Sequence, residues 1–335
     1  MERVVVFECP TDDTWARDHG PIVLKAKTHP QPLPTGGEKE DFSPEIVQGQ
    51  DGKKTLWLDF RFNGWGEKFP AENDNRIVER LDERIRMKDE GIRKNVNYQL
   101  STNGRWPKGK AIVNYQLERH QDFVLEGGSI ESDGRGTIFT TSQCLLAPNR
   151  NQPLTQAEIE AELKRRLRAE RVVWLDHGNL VGDDTDGHID TIVRCAPDDT
   201  LLYVGCDDEN DEQFADFQAL EQQLKSLKTA DGKPYRLLKL PMPEAIFEEE
   251  PPPNLPRLGE EKELRMDDGE RLPATYANFL ILNGAVLAPV YGQPENDAEA
   301  LRVIGEAFPD RDIIPIDART IIRQHGSIHC LTMQL

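Results

Sequence analysis

The residues best suited to chemistry lie close together at residues 182–190, which read Gly-Asp-Asp-Thr-Asp-Gly-His-Ile-Asp. Four carboxylates and one imidazole stand there beside a strand-like run at residues 189–195. Because alternate residues of a strand point to one face, we expect His188 and Asp190 to face a common site. A histidine can move protons near neutral pH, and a carboxylate beside it can hold a cation. The pair lacks a nucleophile, and Cys330 is the candidate.

Each of these residues also has an ordinary structural interpretation. A single cysteine is more often a small core residue than a nucleophile. The carboxylates of residues 182–190 alternate as in calcium loops, but the later bidentate glutamate is missing, so we predict no metal. Several aspartates there could simply cap turns, namely Asp183, Asp184 and Asp186. His329 would face away from Cys330 on a strand, which favours a structural role.

Composition narrows the class of protein. The 335-residue chain has 60 acidic and 41 basic residues, with a formal net charge of −19. That charge disfavours nucleic acid and anionic membranes as partners and suits a cationic ligand. No apolar run approaches the roughly 20 residues that cross a bilayer, and the first residues do not resemble a signal peptide. We therefore expect a soluble protein of the cytoplasm.

The cysteines favour neither a disulfide framework nor a structural zinc site. Their number is odd, and no two have the Cys-x-x-Cys spacing. At least one thiol is therefore free. The five are Cys9, Cys144, Cys195, Cys206 and Cys330.

The elements that must position these residues are short strands interrupted by helices. Apolar runs predict strands at residues 4–8, 22–25, 55–60, 137–141, 172–175, 200–204, 236–240, 277–282, 285–290 and 312–316. Helices are predicted at residues 74–88, after Thr155, at 211–227 and at 295–308. Thr155 and Glu158 form a capping box, and Asn283-Gly284 is a hairpin signal. The pattern predicts an α/β fold with too many hairpins for a plain doubly wound sheet.

Two stretches are predicted to lie outside these elements. Residues 28–54 are rich in proline, glycine and charge, which indicates an exposed insertion. The stretch from Glu244 to Pro273 holds an acidic run and three consecutive prolines, so we expect a long excursion.

Five short motifs occur in order along nearly the whole chain. They are Trp15-Ala16-Arg17-Asp18, Phe62-Asn63-Gly64-Trp65-Gly66, Leu125-Glu126-Gly127-Gly128, Asp184-Thr185-Asp186-Gly187-His188-Ile189-Asp190 and Ile328-His329-Cys330. Together they resemble the agmatine deiminase and bacterial (Porphyromonas-type) peptidylarginine deiminase family. The resemblance implies a pentein-like, five-bladed α/β propeller of ββαβ modules in a single domain over residues 1–335. Relatives carry a further stretch before the first motif, so the first module is expected to be incomplete or unusually built.

The resemblance also implies roles for the catalytic residues. Cys330 would attack the guanidinium carbon and form a thiouronium intermediate. His188 would protonate the departing ammonia and then deprotonate water, with Glu126 bonded to its imidazole. Asp18 and Asp190 would clamp the guanidinium. The expected substrate-binding residues are Trp15, Asp18, Asp190, Asn63 and Trp65.

These inferences predict a cofactor-free hydrolase that converts agmatine to N-carbamoylputrescine and ammonia in putrescine biosynthesis. An acidic channel suits doubly charged agmatine better than peptidyl arginine, and the acidic excursion could exclude peptides from the entrance. The alternative is a peptidyl-arginine deiminase. An amidinotransferase and a non-catalytic, calcium-binding acidic module are further alternatives. We expect a small cationic guanidine as the partner, and a homodimer is a common state for enzymes of this size.

Overall fold

The computed structural model describes residues 9–26, 42–46, 55–89, 115–248 and 269–334. The strands are β1 (Ile22–Ala26), β2 (Phe42–Ile46), β3 (Thr55–Arg61), β4 (Tyr115–Val124), β5 (Ile130–Ser132), β6 (Thr137–Thr141), β7 (Arg171–Leu175), β8 (Val193–Ala196), β9 (Thr200–Gly205), β10 (Arg236–Pro241), β11 (Leu280–Leu282), β12 (Ala285–Val290) and β13 (Asp312–Asp317). The helices are α1 (Ala16–His19), α2 (Gly64–Glu67), α3 (Ile77–Asp89), α4 (Ser142–Leu145), α5 (Gln156–Leu167), α6 (Phe214–Ser226) and α7 (Pro294–Ala307).

The strands form four small mixed sheets, and the order and direction of the strands repeat from one sheet to the next. In three of them, the first two strands are antiparallel and the third is parallel to the second: β5-β6-β7, β8-β9-β10 and β11-β12-β13. A helix crosses over before each third strand, namely α5, α6 and α7. The fourth sheet repeats this path with β1, β3, α3 and β4, and β2 pairs at its edge. The predicted α/β class and the ββαβ order are thus confirmed over the described residues.

Local signals in the sequence explain several of these elements. Thr155 and Glu158 form the predicted capping box at the start of α5. The helix then buries the face predicted by its period, including Ile159 and Leu163. Gly284 has φ of 77°, a conformation that glycine adopts without strain, and it joins β11 to β12 as the predicted hairpin.

Buried apolar side chains fill the space between the sheets and their helices. The largest cluster joins the β8-β9-β10 and β11-β12-β13 units, and a second joins α5 to strands β1, β3, β5 and β6. A small third cluster contains Trp15, Phe62, Trp65, Ala71 and Cys330. The candidate nucleophile is therefore packed against aromatic rings.

Some predicted elements differ from the structure. Residues 189–191 form a 3₁₀ turn and β8 begins only at Val193, so the predicted strand at residues 189–195 is wrong in its first half. Bonds from Thr191 Oγ1 to His188 O and from Ile192 N to Ile189 O close this turn. Within the predicted insertion, Phe42–Ile46 pairs as β2.

Other predictions concern residues that the structure does not describe. The strand at residues 4–8 lies outside the described residues, as do most of the insertion and residues 249–268 of the excursion. Within the described ranges, none of the helices combines the length and apolar character needed to cross a membrane.

Candidate active site

The motif at residues 182–190 folds as a series of turns that present His188. The carboxylate of Asp183 accepts hydrogen bonds from Thr185 N at 3.2 Å and Gly187 N at 2.9 Å, so it caps a turn. Asp186 is bonded to Lys68 at 2.6 Å and Arg150 at 2.7 Å. These carboxylates therefore serve the loop, whereas the imidazole of His188 is fully buried.

His188 is bonded to Glu126, which enters from the end of a different sheet. His188 Nε2 donates to Glu126 Oε2 at 2.8 Å. The opposite side of this carboxylate accepts from the guanidinium of Arg150, with contacts of 3.1–3.3 Å. Arg150 also donates to Thr185 O at 2.7 Å, so it ties Glu126 to the loop that carries His188. Sequence reasoning missed Arg150, since no recognised motif contains it.

Asp18 lies on the other side of the imidazole. Its Oδ1 is 3.7 Å from His188 Nδ1 and accepts a hydrogen bond from Gly128 N at 3.0 Å. Its Oδ2 accepts from Trp65 Nε1 at 3.0 Å. Trp65 has φ of 55°, which is strained for a bulky residue, and lies between Gly64 and Gly66, which also have positive φ. The predicted substrate-binding residue Trp65 is thus held where it orients Asp18.

Asp190 joins the turn that carries the thiol. Its Oδ2 accepts from His329 Nδ1 at 2.7 Å and is 3.9 Å from Cys330 Sγ. Residues 328–331 form a turn, so the expectation that His329 faces away from the site on a strand is wrong. Consecutive residues of a turn can reach one acceptor, and here both reach Asp190.

Asn278 holds the same turn and was not found from the sequence. Its Oδ1 accepts from His329 N at 2.9 Å and from Cys330 N at 3.4 Å. Its Nδ2 lies 3.3 Å from Cys330 Sγ, where it can donate to a thiolate. The residue is fully buried and precedes the short strand β11. A lone asparagine next to a hairpin carries no signal of its own, because its partner is 52 residues away.

Two polar atoms in this centre lack a partner among the described residues. They are His188 Nδ1 and Asp190 Oδ1, and both are buried. A Cβ on Gly128 would lie 2.6 Å from His188 Nδ1, 2.9 Å from Asp18 Oδ1 and 3.1 Å from Asp190 Oδ2. Three site groups therefore converge where Gly128 leaves room. Buried polar groups are nearly always bonded, so the unpartnered pair indicates a place for a ligand. Asp190 Oδ1 can accept from N–H groups of that ligand, and the protonated His188 Nδ1 can donate to it.

Burial sets the protonation of the two clamp carboxyls. It raises the pKa of Asp18 above its ordinary value, although the His188 imidazolium and the bonds from Trp65 and Gly128 oppose the shift. It raises the pKa of Asp190 to about 7, against the opposing charge of His188. A cation placed between the two carboxyls would favour their ionised forms and lower both pKa values.

The thiol and the imidazole have raised pKa values for different reasons. Burial, with Asp190 and Asp18 nearby, raises the pKa of Cys330 well above its ordinary value. Burial opposes charge on His188, but Asp18 and Glu126 outweigh it, so the pKa of His188 lies well above normal. Burial also disfavours ionised Glu126, yet Arg150 and His188 hold its pKa below normal. Without ligand, the site thus holds a neutral thiol, an imidazolium and an ionised Glu126.

Aromatic rings cover the thiol. The side chain of Trp15 is 5% exposed. Its ring packs so closely on Gly326 that a Cβ added to that glycine would lie 2.5 Å from the ring atoms. Phe62 packs edge-on against Trp65 with centroids 4.9 Å apart. Asn63, predicted to bind substrate, uses Oδ1 to accept from Gly66 N and Nδ2 to donate to Asn149 O at 2.6 Å. The structure therefore places Asn63 as a residue that shapes the loop, and its contact with substrate stays a prediction.

Among the described residues, three potential metal ligands come close together only at Glu126, Cys144 and His188. Glu126 there is already bonded to Arg150 and His188. Cys144 is fully buried, with Sγ 3.7 Å from Glu126 Oε2. An acidic oxygen shared by two cationic partners is a poor ligand for a further cation.

Comparison with known proteins places this geometry in a family. The family model described as Porphyromonas-type peptidyl-arginine deiminase matches residues 1–335. The agmatine deiminase of Stutzerimonas stutzeri is similar, at 31% identity over 339 residues, covering 99% of this chain and 77% of that protein. A provisionally named arginine deiminase structure from Porphyromonas gingivalis is 42% identical, with a TM-score of 0.73, covering 98% of this chain and 77% of that one.

A further solved structure, an agmatine deiminase of C. jejuni, is 32% identical with a TM-score of 0.67, and covers 97% of this chain and 74% of that one. The five motifs thus lie in a chain that matches its relatives along its length. From the family match over residues 1–335, we conclude that the chain belongs to the Porphyromonas-type peptidyl-arginine deiminase family.

Proposed function

We propose that this protein is a hydrolase of the guanidino C–N bond that converts agmatine to N-carbamoylputrescine and ammonia, a step of putrescine biosynthesis. The observation that carries the proposal is the pair of unpartnered buried atoms, His188 Nδ1 and Asp190 Oδ1, beside a buried thiol. A planar guanidinium supplies N–H donors to carboxylates on two sides. Asp18 and Asp190 are the carboxylates available to it.

The substrate cation also prepares the nucleophile. The pKa of Cys330 is held up by burial and by the negative charge of Asp190 and Asp18. A guanidinium bound between these carboxylates cancels that charge and lowers the pKa of the thiol, so the thiol releases its proton to solvent as the cation enters. Asn278 Nδ2, 3.3 Å from Cys330 Sγ, then donates a hydrogen bond to the thiolate.

The reaction proceeds in two halves around His188. The thiolate forms a C–S bond to the guanidinium carbon, and the C–N bond breaks as His188 gives its proton to the departing ammonia. The neutral imidazole then takes a proton from water, whose oxygen attacks the thiouronium carbon and expels the thiolate. Glu126, ionised and held by Arg150, stabilises the imidazolium at both ends of the cycle.

Three observations favour agmatine over a peptidyl arginine. The curated relative from Stutzerimonas stutzeri is an agmatine deiminase. Trp15, Phe62 and Trp65 are each at most 5% exposed and pack in one cluster with Cys330, and a thiol enclosed in this way favours a small substrate. Within the acidic excursion, Phe247 pairs with Arg271, and the backbone of Arg271 lies against Gly182, on the loop that presents His188. The described ends of the excursion therefore lie beside the site, which favours a small substrate over a peptide.

We extend the proposal to the architecture. The connection entering the first strand of each unit supplies one site residue: Asp18 before β1, Glu126 before β5, Asp190 before β8 and Asn278 before β11. Cys330 follows β13, where a fifth unit would begin. This regularity supports a five-bladed, pentein-like propeller closed around the site as a single domain. A cytoplasmic location and a homodimer are proposed with it, on the acidic composition and the size of the chain.

The test compares specificity constants for agmatine, free arginine and an arginine peptide at one salt concentration. The specificity constant for ammonia release should be highest with agmatine. A chelator should leave it unchanged, because the proposed reaction uses no metal. A preference for the peptide would overturn the substrate and leave the chemistry standing. Transfer of the amidino group to an added amine, in place of ammonia release, would indicate an amidinotransferase.

A further inference from the structure

A cavity of about 370 Å³ lies behind the turn that carries the thiol. It borders His329 and Gly127, the sequence neighbours of Cys330 and Glu126. None of the five proposed catalytic side chains lines it. The cavity is thus separate from the site described above, although it shares backbone segments with it.

Among the described residues, four cationic side chains line this cavity, namely Arg17, Lys25, Arg194 and Arg311. Two carboxylates lie among them, and both are engaged within the protein. Glu131 accepts from Arg194 Nε at 2.6 Å and from Cys195 N at 3.0 Å. Asp133 accepts from the backbone N–H groups of its own turn at Arg135 and Thr137. The lining therefore has an excess of positive charge.

Arg17 is buried without a salt bridge to a carboxylate of the described residues. It is 3% exposed, and its guanidinium donates to His329 O at 3.4 Å, Met333 Sδ at 3.5 Å and Gln334 Oε1 at 2.7 Å. All three acceptors are neutral. Burial and the nearby Arg194 lower the pKa of Arg17 to about 10, although the charges of Asp190, Glu131 and Asp18 oppose the shift, so it stays charged at neutral pH. A buried charge without an ionic partner is costly.

The other cations have donors left over. Arg194 is 2% exposed; its Nε donates to Glu131, and its Nη1 donates to the backbone carbonyls of Ala277 and Phe279. No described residue accepts from its Nη2. Within the described ranges, neither Lys25 nor Arg311 has an ion pair with a carboxylate, and Arg311 donates to Leu282 O. Several N–H donors therefore face one space without an acceptor of opposite charge.

We propose that this cavity binds a small multivalent oxyanion, of the size and charge of inorganic phosphate or a short dicarboxylate, between Arg17 and Arg194. Lys25 and Arg311 complete the charge around it. The volume is near the lower end of the range for small-molecule sites, roughly 300–1,000 Å³. The overall charge of −19 repels anions from the surface, so binding requires a local cluster of this kind.

The same arginine links the anion to the thiol turn. Arg17 N donates to Cys330 O at 3.0 Å, and its Nε donates to His329 O. Arg17 also precedes the clamp residue Asp18 in the chain. An anion that neutralises Arg17 would hold the Cys330 turn and the clamp in one arrangement. The proposal concerns binding and does not depend on which guanidine is the substrate.

The experiment titrates inorganic phosphate and, separately, succinate into the full chain by calorimetry, at constant ionic strength set with chloride. We expect binding of at least one anion and a loss of about tenfold or more in affinity in the Lys25→Gln/Arg311→Gln double variant, because each removed cation contributes a charge-assisted contact. The two arms distinguish phosphate from a carboxylate ligand. Neither substituted residue belongs to the proposed catalytic machinery, so turnover in chloride buffer should persist and report correct folding.

Lys233→Gln is the matched control, because Lys233 is an exposed lysine outside the cavity lining. Its affinity for the anion should equal that of the unchanged protein. A crystal of the unchanged protein soaked in selenate should show anomalous density between Arg17 and Arg194. Absence of binding by both anions, equal binding by the double variant, or density elsewhere would each overturn the proposal.

Discussion

Arg150 offers a sharp test of how the acid–base pair is held. Its side chain is fully buried and bonds both oxygens of Glu126, Asp186 Oδ2 and Thr185 O. Arg150→Gln would leave Glu126, which is 1% exposed, with His188 as its one remaining charged partner. Removing one partner of a buried ion pair costs about 3–5 kcal/mol. For 335 residues this lowers the midpoint of thermal unfolding by roughly 4–7 °C.

The pH dependence separates a positioning role from a merely structural one. The pKa of Glu126 is below its ordinary value, so its ionised form stabilises the fold above that ordinary value. This contribution is lost as the pH falls through the depressed folded pKa. Without Arg150 the folded pKa rises, and the loss begins at a higher pH. The acid limb of turnover should therefore move to higher pH in Arg150→Gln and recover in part in Arg150→Lys.

The matched control is Arg166→Gln. Arg166 is also buried, and it pairs with Asp122 and Glu162 away from the thiol. It should lose stability while its pH profile of ammonia release stays that of the unchanged protein. If Arg150→Gln and Arg166→Gln lower the melting temperature alike and neither moves the acid limb, Arg150 is a structural residue and the reasoning is refuted.

Three further predictions concern the centre itself. Cys330→Ser should fold yet lose nearly all turnover, and mass spectrometry of a slow substrate should find the adduct on Cys330 alone; an adduct on Cys144 would exclude the mechanism. Because the pKa of Asp190 is about 7, kcat/KM should fall as the pH drops below that value. Asp190→Asn should bind agmatine about tenfold or more weakly, and its kcat/KM should lack this fall at low pH. An unchanged affinity would place the cation elsewhere. Gly128→Ala should abolish turnover, because its Cβ would lie 2.6 Å from His188 Nδ1; an alanine variant with normal kcat/KM would contradict the crowding.

The sequence predicted the parts of the fold whose causes are local. The capping box at Thr155 and the hairpin at Gly284 were confirmed, because each depends on residues a few positions apart. The period of apolar residues likewise predicted most strands and helices in their observed order. The types of the candidate site residues came from motifs, since their chemistry can be read before their positions are known.

Tertiary structure decided how those residues meet. Residues 189–191 carry strand-like side chains but close into a turn, because His188 O and Ile189 O find donors within the turn. Asn278 holds the Cys330 turn across 52 residues, and Arg150 holds Glu126 across 24. Neither pairing has a periodic trace in the sequence. The sequence alone determined which chemistry was available, and only the packing of separate ββαβ units decided which donors and acceptors complete it, because buried polar groups take their partners from distant segments of the chain.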